Sequence, residues 1–263
     1  MKIKDITVLI PSLNEERNIK KCLDLLKDFK SIIILDSYSH DKTRLIASKY
    51  ENVKFIKTKI NNYVSKLNIL MSLSKTKWVL LIDADYEINN KLKFFLKKKK
   101  LLNSISGYKF NIFNVINEVV IWENIYPSKI LLINKNKAFF KRDGHKEKLI
   151  IGGKIKHLDF YFLHNDKKNK HRWMDTQKKW ASYDAIKIMK TDFRNLRIIE
   201  KLRIFPFITV IVALIYYFCF KRIYRYGNAG FLYLFQRMIY ETTVNLIIIK
   251  LIFKKITNSG RKS

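Results

Sequence analysis

Two aspartates separated by one residue, Asp83 and Asp85, directly follow a five-residue apolar run, Trp78–Ile82. Side chains alternate along a strand, so residues i and i+2 point the same way. If the run is a buried parallel strand, both carboxylates emerge at its carboxyl end, where open α/β sheets bind ligands. Such oxygens suit a divalent cation that itself holds a phosphate. The alternative is an ordinary surface turn, because Asp-x-Asp alone is a weak pattern.

A third carboxylate, Asp36, ends a second apolar run, Ser31–Leu35. Right-handed crossovers would bring the ends of both runs to the same edge of a parallel sheet. There Asp36 can accept hydrogen bonds from a base N–H or from ribose hydroxyls, or it can simply cap a turn. The sequence contains no glycine-rich dinucleotide or P-loop motif. If a nucleotide binds, a metal and scattered polar groups must therefore hold its diphosphate.

Three further ionisable residues, Asp143, His145 and Glu147, lie between two apolar runs. At this alternating spacing they can share one face of a strand. A carboxylate or imidazole beside a sugar hydroxyl can act as a general base. The alternative interpretation is a charged hairpin tip without a chemical role.

The elements that must position these residues alternate between strands and helices, which predicts βαβ units and a parallel sheet in an α/β domain over residues 1–200. Helices are expected from Glu15, from Asp41 as an N-cap through Tyr50, over Asn62–Leu73, over Leu92–Leu102 and from about Lys170. Strands are expected at Ile6–Ile10, Ser31–Leu35, Val53–Lys57, the Trp78 run, Tyr108–Ile116 and Val119–Trp122.

The chain is strongly basic, with 53 Lys and Arg against 22 Asp and Glu and a net charge of +31. This predicts anionic partners, namely nucleic acid, anionic lipid or phosphorylated ligands, unless the composition has simply drifted toward lysine. The two cysteines, Cys22 and Cys219, have no spacing typical of a disulfide or zinc site, which favours a reducing compartment. The N-terminus lacks a signal-peptide layout, so we expect the amino-terminal part in the cytoplasm.

The composition changes in the last part of the chain, residues 201–263. Ile204–Phe220 contains no charge over 17 residues, the lower limit for crossing a bilayer, and basic residues on both sides give no orientation. Phe231–Ile256 is apolar with embedded charges, among them Arg237 and Glu241, which are one helical turn apart and can pair. We expect amphipathic helices on a membrane, or alternatively a soluble two-helix cap.

The motifs, taken in order, resemble the family 2 glycosyltransferases with a GT-A fold, and the later ones resemble one bacterial membrane-associated subgroup. They are ITVLIPSLNEERNI (Ile6–Ile19), ILDSYSHDKT (Ile34–Thr43), WVLLIDADYEI, the Asp143-Gly144-His145 stretch, a segment with His164, Asp166, Lys168, Arg172, Trp173, Gln177, Trp180 and Ala181, and the tail Gly227–Glu241.

The resemblance implies a role for each matching residue. Residues near the donor nucleotide and diphosphate would be Pro11, Asn14, Glu15, Asp36, Lys66 and Asp83. Asp85 would ligate Mg²⁺ or Mn²⁺, with Asp83 and His164 as further ligands. The general base would be Asp143, with Glu147 second, and His145 lies beside them.

The resemblance further implies an inverting, metal-dependent glycosyltransferase with a nucleotide sugar as co-substrate. Its acceptor would be a saccharide or lipid-linked molecule of cell-envelope polysaccharide synthesis. The enzyme would lie at the cytoplasmic face of the bacterial inner membrane, on an anionic surface, and would be peripheral, monotopic or single-span. Alternatives are a polyprenyl-phosphate sugar synthase, a nucleic-acid-binding protein and a catalytically silent membrane scaffold. We predict no nucleic acid, since strand-end carboxylates repel a phosphate backbone unless a metal intervenes.

Overall fold

The computed structural model describes residues 3–60, 62–98, 102, 104–143, 146–167 and 169–259. It divides into two compact units. The first comprises Met1–Asp143 and Glu147–Lys167, and the second comprises Gly144–Lys146 and Lys168–Ser263.

The described strands are β1 (Ile6–Ser12), β2 (Ser31–Asp36), β3 (Val53–Lys57), β4 (Trp78–Leu81), β5 (Tyr86–Ile88), β6 (Ile105–Ile116), β7 (Val119–Ile121), β8 (Lys129–Asn134), β9 (Ala138–Asp143), β10 (Lys146–Ile151) and β11 (Lys154–His164). The helices of the first unit are α1 (Ile19–Leu25), α2 (Thr43–Ala47), α3 (Tyr63–Leu73) and α4 (Asn90–Lys98). Elements predicted from the first hundred residues are present, although the N-cap of α2 is Lys42 rather than Asp41 and the helix ends at Ala47 rather than at Tyr50.

The main sheet has the order β3-β2-β1-β4-β8-β6-β11-β5, with β7 beside β6. Strands β1 to β4 pair in parallel, as predicted. Beyond β4 the sheet is mixed rather than mostly parallel: β8 runs antiparallel to both β4 and β6, whereas β11 runs parallel to β6. A tight turn returns β6 to β7, and its two residues, Asn117 and Glu118, have positive φ values of 48° and 63°. Between β6 and β7 a hairpin thus takes the place of a helical crossover.

Strand β1 is buried along its whole length because helices cover both faces of the sheet there. Val8 and Ile10 belong to one apolar cluster, which includes residues of α1 and α4. Leu9 points the other way, into a cluster with residues of α3 such as Leu67 and Leu70. A strand buried on both sides shows a continuous apolar run rather than alternation, which is why the sequence pattern predicted it correctly.

The second unit is helical, with α5 (Lys170–Lys190), α6 (Ile198–Leu202), α7 (Ile208–Ile215) and α8 (Gly227–Ser259). Its core pairs residues of α5 with residues of α8 at helical spacing: Ala181, Ala185, Ile188, Tyr240, Val244 and Ile248. The expected ion pair between Arg237 and Glu241 is confirmed, with a nitrogen–oxygen distance of 2.8 Å.

The uncharged stretch Ile204–Phe220 is not one straight helix. Phe207, with a left-handed φ of 61°, precedes α7, and a π-helical turn, Tyr216–Phe220, follows it. None of the helices in the described part of the chain combines the length and the apolar character needed to cross a bilayer.

Candidate active site

The carboxyl ends of β1 and β2 are joined through a buried carboxylate. Ser12 and Asp36 are register partners at the ends of these strands. Oδ2 of Asp36 accepts hydrogen bonds from the hydroxyls of Ser12 (2.7 Å) and Ser39 (2.5 Å), and Oδ1 accepts from the backbone N–H of Ser39 (2.7 Å). Asp36 therefore holds the loop after β2 in place at the predicted ligand edge.

The loop after β1 is fixed against the same region. Asn14 has a left-handed φ of 54°; its backbone N–H donates to the Ser39 hydroxyl (2.7 Å), and its side-chain oxygen accepts from the N–H of His40 (2.9 Å). Glu15 donates its backbone N–H to the hydroxyl of Thr43 (2.8 Å). Pro11 is buried in β1. The predicted nucleotide residues of the first two loops are thus brought together.

Lys66 lies in α3 and is buried, and its ammonium group donates to the hydroxyl of Ser37. Burial lowers the pKa of Lys66, while the nearby charge of Asp36 opposes this effect. The structure therefore places the predicted diphosphate candidate directly behind the loop that Asp36 organises.

Asp83 and Asp85 have different partners, because β4 ends at Leu81 and strand alternation no longer governs their directions. Oδ1 of Asp83 accepts a hydrogen bond from the hydroxyl of Tyr63 (3.1 Å). Desolvation, together with the charges of Asp83 and Glu147, raises the pKa of Tyr63. Its phenol therefore stays protonated and keeps donating to Asp83.

Asp85 lies beside His164 because β5 runs antiparallel to β11. His164 is the register partner of Tyr86, the residue after Asp85, and the backbone N–H of Asn165 donates to the carbonyl of Asp85 (2.9 Å). This short antiparallel pairing brings residues far apart in sequence to one point at the sheet edge.

A possible metal site is formed by Asp85, His164 and Asp166, whose ligand atoms all lie within 4.8 Å of one another. Nε2 of His164 is 3.3 Å from Oδ2 of Asp85. Nδ1 of His164 is 2.9 Å from the side-chain oxygen of Asn114, an atom that can only accept, so Nδ1 carries the proton. Asn114 thus orients the imidazole with Nε2 toward the carboxylates, as partners of metal-binding histidines commonly do.

The donor set of this cluster fits a divalent cation. Two carboxylates and one imidazole suit Mn²⁺, and the oxygen ligands also suit Mg²⁺. Burial lowers the pKa of His164, but the charges of Asp85 and Asp166 more than offset this, so its pKa is raised overall. The site therefore attracts positive charge, here a proton.

Two of the three candidates for the general base, Asp143 and Glu147, lie in strands β9 and β10. Asp143 ends β9, but its side chain, together with Gly144 and His145, lies outside the described residues. Glu147 is partly buried in β10, and its charge contributes to raising the pKa values of Tyr63 and Lys129. The carboxylate of Glu147 therefore acts on Tyr63 and Lys129, the same residues that the charge of Asp83 affects.

Sequence reasoning assigned no role to Lys129. Leu80 of β4 pairs with Leu132 of the antiparallel strand β8. Asp83, three residues after Leu80, and Lys129, three residues before Leu132, therefore reach the same edge of the sheet. The ammonium nitrogen of Lys129 lies 5.6 Å from the centre of the Tyr86 ring. Burial lowers the pKa of Lys129, but interactions with Tyr86, Asp83 and Glu147 raise it overall. No local pattern could have identified this lysine, because its place depends on the register of β8.

Asn114, Tyr63 and Asp166 were also without an assigned role. Asp166 stands in the quoted His164-x-Asp166 motif, so its spacing from the histidine was a usable signal. Asn114 and Tyr63 act through pairings that only the folded chain creates.

The chain is similar in sequence and in fold to known proteins. Residues 7–168 match the sequence model described as Glycosyl transferase family 2. The chain belongs to this family. The predictions of the family and of a GT-A-like fold are thereby confirmed, and the fold is shown independently by a solved structure.

That structure is the mannosyltransferase PcManGT from Pyrobaculum calidifontis in complex with GDP-Man and Mn²⁺. The similarity covers 93% of this chain and 87% of PcManGT, with 11% identity and a TM-score of 0.53. At this identity the comparison shows a common fold.

Two curated relatives match shorter regions. The SPbeta prophage-derived glycosyltransferase SunS of Bacillus subtilis (strain 168) is 40% identical over 92 residues, which is 33% of this chain and 22% of SunS. An uncharacterized glycosyltransferase of Rickettsia bellii (strain RML369-C) is 31% identical over 90 residues, 34% of this chain and 30% of the relative. The match thus spans less than a third of either relative.

Proposed function

We propose that this chain transfers a sugar from a nucleotide diphosphate sugar to an acceptor hydroxyl, with Mn²⁺ or Mg²⁺ held by Asp85, His164 and Asp166. The observation that carries the proposal is this acidic cluster at the carboxyl edge of the sheet of a family 2 fold. PcManGT, which has the same fold, was solved with a nucleotide sugar and Mn²⁺, in support of this donor class.

A bound divalent cation would neutralise the diphosphate leaving group as the sugar C1–O bond breaks. The chain's own residues prepare this site. Asn114 holds the imidazole of His164 with Nε2 toward Asp85. Asp36, through Ser12 and Ser39, fixes the two loops against which we place the nucleotide. Lys66 and Lys129 supply positive charge on the diphosphate side, and Tyr63 fixes Asp83 for contact with the ribose or donor.

We propose a single displacement with inversion at the anomeric carbon. The acceptor oxygen forms a new bond to C1 as the bond from C1 to the diphosphate oxygen breaks. The acceptor's proton passes to a carboxylate of the β9–β10 hairpin, Asp143 or Glu147. The anomeric configuration of the product, read by NMR, tests this step, and a retained configuration would exclude it.

The charge of the protein supports an anionic acceptor. A chain with a net charge of +31 suits a phosphorylated or otherwise anionic acceptor, and we propose a saccharide or lipid-linked molecule of the cell envelope. Polyprenyl phosphate is a second acceptor of the same chemistry. Supplying both with a radiolabelled donor and identifying the labelled product distinguishes them.

The decisive experiment measures nucleoside diphosphate release from UDP-, GDP- and TDP-sugars with Mn²⁺. Wild type is expected to turn over at least one donor, and Asp85→Asn is expected to lose this activity. Asp159→Asn, which changes an exposed aspartate of β11, is the matched control and should retain it. Absence of both turnover and nucleotide binding in wild type would favour a silent scaffold.

A further inference from the structure

The segment Phe205–Phe220 of the second unit exposes many apolar side chains, which together are called the apolar face. Of the eight residues of α7, Thr209 alone is buried. Side chains exposed by between 38% and 75% include Phe207, Ile211, Leu214, Ile215, Phe218 and Phe220. Monomeric soluble proteins rarely expose a contiguous apolar patch of this kind, and larger patches mark protein or membrane contacts.

The charged residues in the sequence that contains the apolar face are nearly all basic. From residue 204 to residue 259 the sequence contains seven Lys and Arg but one acidic residue, Glu241. Glu241 is buried and binds Arg203 and Arg237. Lys221, Arg222 and Arg225 follow the apolar face directly, and Arg222 and Arg225 are exposed. The surface therefore offers apolar side chains beside positive charge, which is complementary to an anionic lipid bilayer.

We propose that the apolar face docks into the interface of an anionic lipid bilayer, with Lys221, Arg222 and Arg225 against the lipid headgroups. The eight residues of α7 and the five of the following turn span roughly 20 Å at 1.5 Å per residue, against a hydrocarbon core of about 30 Å. Left-handed residues, Phe207 and Arg222, bend the chain at the two ends. The helix therefore embeds along the interface, where aromatic side chains are favoured.

This inference goes beyond the proposed transfer reaction and needs neither donor nor metal. It is tested by co-sedimentation of the full chain with vesicles of phosphatidylcholine alone or with about 30% phosphatidylglycerol. Binding is expected to be at least about tenfold tighter to the anionic vesicles and to weaken with salt.

The variant Ile211→Ser/Ile215→Ser/Phe220→Ser is expected to lose vesicle binding by about tenfold or more, because it removes inserted apolar surface. The control Leu45→Ser/Phe94→Ser changes side chains of the first unit that are 61% and 57% exposed, and it should bind like wild type. Circular dichroism checks that the variants keep their helices.

A second variant, Lys221→Gln/Arg222→Gln/Arg225→Gln, leaves the apolar face intact. It is expected to lower affinity for anionic vesicles by about fivefold per basic residue removed, with little change for neutral vesicles. Light scattering of wild type and of the serine variant examines self-association. The proposal would be overturned if wild type failed to bind vesicles, or if the serine variant bound them as well as wild type does. It would also be overturned if wild type formed a dimer that the serine substitutions split while vesicle binding persisted.

Discussion

Buried carboxylates occur in both units, but they are balanced differently. In the second unit Arg203 binds Glu241 through two hydrogen bonds of 2.8 and 2.9 Å and Asp184 through one of 3.0 Å, and Arg237 also binds Glu241. In the first unit Asp85 and Asp166 converge on a single imidazole, that of His164. One cluster joins carboxylates to arginines, and the other gathers two carboxylates around an imidazole.

We interpret this difference as one between a structural site and the proposed functional site. The Arg203 cluster links α5, the end of α6 and α8, so its charges have fixed partners and serve the packing of helices. The Asp85 cluster gathers two carboxylates and an imidazole, a donor set that we propose holds a divalent cation. Breaking each cluster should therefore have opposite signatures in activity and in stability.

The largest expected effect is on catalysis. Asp85→Asn should lower turnover of a donor used by wild type by about 10³-fold, because transition-state charge stabilisation is worth about 4 kcal/mol. The free energy of unfolding without metal should change by less than about 1 kcal/mol, since a like-charge contact with Asp166 is removed along with the contact to His164. Nucleotide release and urea unfolding measure the two quantities. Activity within tenfold of wild type would contradict the assignment of Asp85.

The next effect is on stability. Glu241→Gln should lower the free energy of unfolding by about 3 kcal/mol, because Arg203 and Arg237 lose their buried partner. Urea unfolding followed by circular dichroism measures it. The double variant Arg203→Met/Glu241→Met should recover part of the loss, since it removes both charges. A Glu241→Gln protein as stable as wild type would remove the structural role from this cluster.

A smaller effect is expected at the edge of the first cluster. Lys129→Met should weaken binding of the nucleoside diphosphate about tenfold, or about 1.4 kcal/mol, while the affinity for the monophosphate stays unchanged. Lys129→Arg should retain most of the affinity, and Lys54→Met, at an exposed site in β3, is the control. Calorimetry with Mn²⁺ measures both ligands. An equal loss of affinity for the diphosphate and the monophosphate would mean that Lys129 does not act on the second phosphate.

The smallest effect concerns Glu200, an acid with fixed partners in the second unit. Hydrogen bonds from Arg197 are the main cause that lowers the pKa of Glu200 from 4.5 to about 2. Because the pKa of Glu200 is lower in the folded state, its ionised carboxylate stabilises the fold at pH values above 4.5. This stabilisation is lost as the pH falls toward 2. Glu200→Gln should therefore cost about 1 kcal/mol near neutral pH, allowing for solvent screening, and nothing near pH 2. Urea midpoints across this range measure the difference, and a pH-independent cost would refute the linkage.

Much of the first half was predictable because its information is local. The continuous apolar runs of β1, β2 and β4 follow from burial on both faces, and the carboxylates Asp36 and Asp83 stand where those runs end. The helix α3 was predicted almost to the residue, since Asn62, the first residue of the predicted range, is its N-cap in the structure.

The sequence by itself thus determined the fold family, the sheet edge at which we propose that ligands bind and the acidic residues present there, because strand patterns and strand ends are encoded in neighbouring residues. Only the tertiary structure decided which of these residues meet. The insertion of β8 between β4 and β6 brings Lys129 to Asp83, and the antiparallel pairing of β5 with β11 brings His164 and Asp166 to Asp85. Strand register over long sequence separations depends on the packing of the whole sheet, and no local pattern encodes it.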